Sequence, residues 1–532
     1  MEVRSMKKHL KKMLCVATAC MLIPTTPVFA SGAIVENPAA AKTQPVVEVE
    51  GGKLIGFTRN DTYCFWGVDY AYADRFEQPQ KVEPWEGYQF AQSYGTISLI
   101  PDQTAVGADE FVWPHRYWTQ SDHCQNLNIW TQDLNADAKK PVIVFFHGGG
   151  HTNGSSIEST AYDGQALSEY GDVVVVTVNH RLNAIGYLDL SSFGEEYAGS
   201  GNLGAADLAA SLQWIHDNIA QFGGDPENVM IFGQSGGGSK VATMMRQPAA
   251  EGLFHAAGMI SGGSANISDN TNAKLLGEKT VELLGLTAET IDEIKTIDYR
   301  TLLAAGNQAR EELKEEGINV NWGPTADGVV VMDEFVTTGI PVIVSGVFSE
   351  NTVASYKYGD FRHHEWDEAE TAEKLEERFG DKAEALLAEF NKLYPEMEDR
   401  ELYFYNNTMS SKWDTATALT EAGDTVYLYE FDYEAPVNGG ITAFHCEDLA
   451  FIFRNMDEPM VNIAYGSDPA AYTVQDAIAS AFIALAKTGT PSTEELPWDA
   501  YEIGSHNLMK FNTESKCVDH DTTAYTEILN AE

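Results

Sequence analysis

A chain of 532 residues with 44% apolar side chains can bury a large core, and no low-complexity tract, Pro/Gly/Ser-rich linker or internal repeat divides it. The 34 Lys and Arg against 79 Asp and Glu give a formal charge of −45. Such a field sets nucleic acid and anionic membranes aside as partners, and a solvated acidic surface accounts for it more simply than recruitment of cationic substrates.

In chain order, Arg4, Lys7, Lys8, Lys11 and Lys12 precede an apolar run from Met13 to Ile23, and Val28-Phe29-Ala30 puts small residues at −3 and −1 of a cleavage site. This is the layout of a secretory signal peptide over 1–30, cleaved after Ala30, and it predicts a secreted or cell-envelope protein. Cys20 as a lipid anchor is the competing reading, although Val16-Ala17-Thr18-Ala19 before it lacks the usual Leu. Losing five bases and one acid with that segment takes the charge from −45 to −49. No later stretch is long and apolar enough to span a bilayer. Residues 31–45 read as a tail and 46–530 as one domain. Cys64, Cys124, Cys446 and Cys517 remain, either as free buried thiols or in one of three pairings.

Short apolar runs then recur at 141–146, 172–178, 229–232, 341–344 and 425–431. Continuous rather than alternating hydrophobicity predicts strands covered on both faces, as in parallel sheets. Between the second and third, Leu208, Leu212, Ile215, Ile219 and Phe222 fall at helical spacing and stop at Gly223-Gly224-Asp225-Pro226. Strand, helix, strand is a crossover unit, so the class is α/β with a large, mostly parallel sheet flanked by helices. Residues 367–393 and 474–487 read as further helices.

Two glycine-rich turns carry the chemistry. The first strand runs into His147-Gly148-Gly149-Gly150, and the third into Gly233-Gln234-Ser235-Gly236-Gly237 with helix-compatible residues 239–246 behind it. A sharp strand-to-helix turn lifts a serine hydroxyl clear of a sheet, and the helix N-terminus leaves free amides where an oxyanion develops. A plain glycine turn is the structural alternative for the second motif, and a phosphate cradle for the first. No Gly-Lys-Ser/Thr follows the first, and no acidic fingerprint stands about 20 residues on, which argues against the cradle.

These motifs resemble the type-B carboxylesterase family of cholinesterases, liver-type and bacterial carboxylesterases. The resemblance runs through Arg75-Phe76, Glu83-Pro84-Trp85-Glu86-Gly87, the block Cys124 to Trp130, Asn179-His180-Arg181-Leu182, Gly201-Asn202-Leu203-Gly204 through Gly237, Trp322-Gly323-Pro324, and Leu496-Pro497-Trp498. It implies an α/β-hydrolase fold and a serine carboxylester hydrolase acting on small-molecule esters without cofactor or metal. It also implies Ser235 as nucleophile, His445 as general base and acid, Glu350 as the carboxylate that orients it, and Gly149, Gly150 and Gly236 as oxyanion amides. Glu350 stands nine positions past Pro341, as in relatives. Aligning on Gly346 instead puts Asn351 there, and Glu334 and Asp360 are further acids.

Three departures from the family pattern stand out. Gln234 and Gly236 replace the usual Glu and Ala around the serine, His151 replaces the phenylalanine after the glycine loop, and Thr96-Ile97-Ser98-Leu99 lacks the cysteine that pairs with the equivalent of Cys124. That leaves Cys64–Cys124 as the fallback disulfide. Phe111, Trp113, Tyr117 and Trp118 fall close to where cholinesterases carry the aromatic residue that binds quaternary ammonium, with ordinary packing as the plainer use. An adhesion protein without nucleophile and a serine peptidase on the same fold are the rival functions.

Overall fold

Val142, Ile143, Val144, Phe145 and Phe146 are all fully buried, because this strand lies in the middle of the sheet with a layer of packing on each face. The computed structural model describes residues 34–36, 38–103, 107, 110, 112–350, 360–466 and 468–531, for 360 and 361 the backbone alone. The segment 1–30, Phe111, Asn351 and the Asp360 side chain lie outside the described residues.

The main sheet is built from β1 (Phe57–Arg59), β2 (Thr62–Asp69), β3 (Asn126–Thr131), β4 (Lys140–Phe146), β5 (Val174–Val178), β6 (Gly224–Gln234), β7 (Ala256–Ile260), β8 (Pro341–Val347), β9 (Thr425–Phe431), β10 (Asn507–Phe511) and β11 (Lys516–Asp519). Their order is β11-β10-β9-β8-β7-β6-β4-β5-β3-β2-β1. From β5 to β10 every pairing is parallel, while β1, β2, β3 and β11 are antiparallel. The expected mostly parallel sheet is therefore its centre, with antiparallel flanks that short, mixed runs did not announce.

Helix α1 (Leu203–Asn218) continues into a 3-10 turn, Ile219–Phe222, and crosses from β5 over β4 to β6. Its apolar stripe packs with Val142, Val144 and Phe146 of β4, whereas Ile143 and Phe145 face the opposite core, with Ile478 and Phe482 of the helix Pro469–Thr488. Each fully buried Leu, Ile or Phe is worth about 1.5–3 kcal/mol, so five on one stripe outweigh weak local propensity. Arg181, after β5, meets Asp207 of α1 in a buried bidentate pair, Nε–Oδ2 2.8 Å and Nη2–Oδ1 2.7 Å. Removing either partner strands a buried charge, at about 3–5 kcal/mol.

Two boundaries and one pairing differ from the sequence reading. Strand β6 begins at Gly224, inside the expected turn, because Lys140 pairs with Gly224 directly after the left-handed Gly223. The helix expected over 367–393 breaks at Gly380, φ 59°, into Glu368–Phe379 and Ala383–Leu393. The fallback disulfide is not made: all four cysteines are free. Cys64 pairs across the sheet with Trp130, while Cys124 lies beyond Asn126. At about 3.4 Å per residue Asn126 is already about 14 Å along the strand, far outside the Cα separation a disulfide spans.

Strand ends fix where chemistry can occur. Phe146 lies opposite Gly233, Ile260 opposite both Gln234 and Ser345, and Val347 opposite Phe431. The carboxyl ends of β4, β6, β7, β8 and β9 are therefore level, and the loops leaving them open onto one crevice. Open α/β sheets bind ligands there.

Candidate active site

Ser235 sits between β6 and helix α2 (Gly236–Met244) at φ 57°, ψ −122°. This backbone state costs a non-glycine residue about 1–3 kcal/mol and persists only where surrounding structure imposes it. Two close approaches impose it here. A Cβ on Gly237 would lie 2.0 Å from the Phe146 carbonyl oxygen, and one on Gly233 would lie 2.4 Å from that of Gly237. The Ser235 amide still donates to Ile260 O at 2.8 Å, so the ladder holds the turn from the strand side.

The same closeness accounts for Gly236 where relatives carry alanine. A Cβ there would lie 2.3 Å from the Gly150 carbonyl oxygen, so the glycine loop and the nucleophile turn touch backbone to backbone. Gly149 and Gly150 both hold left-handed φ, 76° and 61°. Among the described residues the amides of Gly149, Gly150 and Gly236 donate to no protein acceptor.

Glu350 and His445 come from loops after β8 and β9 that run side by side. Ser349 bridges to Phe444, and its amide donates to Ala443 O at 3.1 Å. This registration puts His445 Nδ1 2.5 Å from Glu350 Oε2, while Glu350 Oε1 accepts the Val347 amide at 3.1 Å. Both carboxylate oxygens are thus engaged as acceptors, which puts the ring proton on Nδ1. Burial, the largest influence on the imidazole, favours its neutral form; the adjoining Cys446 sulfur and the Glu350 carboxylate outweigh it and raise His445 well above its ordinary value. Burial also raises the Cys446 thiol, with the neighbouring imidazole opposing it.

Ser235, Glu350, His445, Gly148 and Gly149 line one cavity of about 750 Å³. Ser235 and His445 share its wall without a direct hydrogen bond; the Gln234 amide nitrogen lies 3.3 Å from His445 Nε2, and its oxygen accepts from Cys446 Sγ at 3.2 Å. Glu334 is exposed and outside the cavity.

The remaining sequence candidates separate. Trp113 and Tyr117 line the cavity, Trp113 buried and Tyr117 54% exposed, while Trp118 is exposed beside them. His151 does not line it. The ring packs edge-on against Tyr187, in a separate cavity of about 340 Å³.

Sequence reasoning passed over Lys240 and Lys412. Lys412, on the helix Met409–Glu421, is buried in the cavity wall, and burial lowers its ammonium while Glu350 opposes that. Lys240 lies fully buried on α2 beneath the glycine loop. Its signal was a cation five residues past Ser235, in a run otherwise of small residues that has to pack under the sheet.

Among the described residues no His, Cys, Asp or Glu cluster is arranged to hold a metal, and no helix is long and apolar enough to cross a membrane.

With this geometry in hand, residues 43–528 match the carboxylesterase family. The para-nitrobenzyl esterase of Bacillus subtilis is 32% identical over 491 residues, 89% of this chain and 96% of its own. Among solved structures, an esterase from anaerobic Clostridium hathewayi, described as able to hydrolyse aliphatic aromatic polyesters, superposes with a TM-score of 0.85 at 36% identity, covering 93% of this chain and 99% of its own. A Geobacillus stearothermophilus carboxylesterase superposes at 0.71 with 30% identity over 91% of this chain and all of its own.

Proposed function

The chain belongs to the carboxylesterase family and is a carboxylic ester hydrolase, and from that premise we propose that it is exported and works through Ser235, His445 and Glu350. Ser235 Oγ attacks the ester carbonyl carbon as His445 Nε2 takes the hydroxyl proton. The carbonyl π pair moves onto oxygen, which accepts hydrogen bonds from the amides of Gly149, Gly150 and Gly236. Collapse breaks the bond to the alkoxy oxygen, which leaves as alcohol with the proton from His445. Water then attacks the acyl-serine by the same steps and releases the acid.

The observation that carries this reading is the Glu350–His445 contact on a wall shared with the strained Ser235 turn. An adhesion or scaffold role leaves both the strain and the paired imidazole without a use.

Export rests on the basic, apolar and small-residue layout of 1–30. The exported protein then begins at Ser31, and its intact mass decides the point; a lipidated Cys20 as the first residue keeps export but contradicts cleavage after Ala30.

Substrate preference follows from a roomy cavity without an amphipathic lid in the sequence. Across p-nitrophenyl esters of rising acyl length, kcat/KM is expected to peak at short or medium chains. A peptide p-nitroanilide should be turned over at least about 10³-fold more slowly than the best ester, because a phenolate leaves without a proton whereas an amine leaves only once His445 has protonated it. Equal rates on the anilide favour the peptidase reading, and interfacial activation on emulsified long-chain lipid contradicts the size preference.

A further inference from the structure

We infer that Lys240 is a positioning residue for ester hydrolysis, which aims and polarises the amide of Gly149 by holding the carbonyls behind it. The inference rests on the reading of Ser235 as nucleophile and deepens it.

Lys240 is 1% exposed, on the same helix whose first residue follows Ser235. Its Nζ donates to the carbonyl oxygen of His147 at 2.7 Å and reaches that of Gly148 at 3.5 Å. The Gly148 oxygen also accepts from His147 Nδ1 at 2.9 Å. A carbonyl cannot donate, so the proton is on Nδ1 of a ring that burial keeps neutral.

The Gly148 carbonyl and the Gly149 amide belong to one planar trans peptide, in which C=O and N–H point in opposite directions. Two donors fixing the oxygen beneath the loop therefore fix the N–H above it, toward the cavity that Gly148, Gly149 and Ser235 line. Donation to a peptide oxygen also strengthens its N–H as a donor, by about 10–30% per bond in condensed-phase estimates.

A lysine is a costly way merely to fill space. No carboxylate pairs with Lys240 among the described residues, and burial lowers its ammonium to about 7, with only Glu158 opposing. Glu158 is itself pushed toward the neutral form by burial and accepts from Tyr162. Nearby, both ring nitrogens of His180 lack partners among the described residues. The amine is spent on two loop carbonyls and nothing else the structure describes.

The test compares Lys240→Met, which keeps the length and removes the donor, with Lys240→Gln, which keeps a donor and removes the charge. Both are assayed for kcat, KM and inhibition by a trifluoromethyl ketone, which adds to a serine hydroxyl to form a tetrahedral oxyanion. Removing one oxyanion donor outright costs about 10²–10³ in kcat, so misaiming one should cost about 10–100-fold. Lys240→Met is expected to show that loss with KM within about threefold, inhibitor affinity falling in parallel with kcat/KM, and Lys240→Gln recovering part of both.

Should Lys240→Met not fold, Lys240→Gln carries the test, by a several-fold joint fall in kcat and inhibitor affinity at unchanged KM. Wild-type kcat and inhibitor affinity in the variant that folds overturn the inference, as does a rise in KM that accounts for the whole loss. If the Ser235 reading itself fails, Ser235→Ala keeps both turnover and inhibition by the ketone, so the two failures are distinct.

Discussion

Ser235→Ala is expected to lower kcat for a p-nitrophenyl ester by about 10⁶-fold, the scale of losing a nucleophile from a serine triad. Alanine leaves the helix, the glycine contacts and the cavity intact, since the Ser235 hydroxyl makes no hydrogen bond that the turn depends on and the amide keeps its bond to Ile260. The strained φ of 57° is inherited by alanine, so the melting temperature should move by no more than a few degrees. A fluorophosphonate should label one peptide of the wild-type protein, the one containing Ser235, and none of the variant. Retained turnover in a folded Ser235→Ala protein would falsify the nucleophile assignment, and labelling elsewhere would name its replacement.

Much of this site was legible because its chemistry is local in sequence. The strand-glycine-serine-glycine-helix order at 233–237 and the glycine loop at 147–150 are each one continuous segment, and backbone sterics act over a few residues. The central strands were legible for a similar reason: burial on both faces leaves a largely apolar, non-alternating run in β4, β5 and β9. The strand β7 was not, because Ala256-Ala257-Gly258-Met259-Ile260 has little intrinsic β preference. It is a strand because its neighbours β6 and β8 supply hydrogen bonds on both sides. The break at Gly380 and the early start of β6 were likewise hidden, since each depends on one glycine's left-handed conformation rather than on a pattern.

What sequence could not supply was proximity across the fold. The alternatives Glu350 and Asn351 differ by one residue in a loop, and only the zipping of Ser349 onto Phe444 brings a particular carboxylate to a particular imidazole. The absent disulfide is the same lesson with the opposite sign, for the register of β2 on β3 separates two cysteines that linear order left available. Lys240 was invisible as a positioning residue because its partners, His147 and Gly148, lie about ninety residues earlier in the chain.

Glu350→Gln should cut turnover by about 10⁴-fold, as an Asp-to-Asn change does in a serine-protease triad, and the structure gives a reason beyond lost charge. Glu350 accepts twice, from the Val347 amide at one oxygen and from His445 Nδ1 at the other. Glutamine has one oxygen and one NH₂. If the oxygen faces Val347, the NH₂ meets the ring and forces the proton onto Nε2, so His445 can no longer accept from Ser235. If the oxygen faces the ring, the NH₂ opposes the Val347 amide, donor against donor, and the side chain is driven off its seat.

The pH profile reports the charge separately. His445 must be neutral to act as base, and its folded-state value lies above the ordinary 6.5, so kcat/KM of the wild-type enzyme should fall as pH drops through a midpoint above 6.5. Removing the Glu350 carboxylate takes away one of the two groups that raise the ring, while its burial stays. The residual activity of Glu350→Gln should therefore show its acid limb displaced to lower pH, a change that simple destabilisation does not produce. Asn351→Ala should keep kcat within about threefold, because an amide cannot stabilise an imidazolium as a carboxylate does. The reverse ranking, with Glu350→Gln near wild type and Asn351→Ala crippled, overturns the assignment and sends the search for the acid to Glu334 or Asp360.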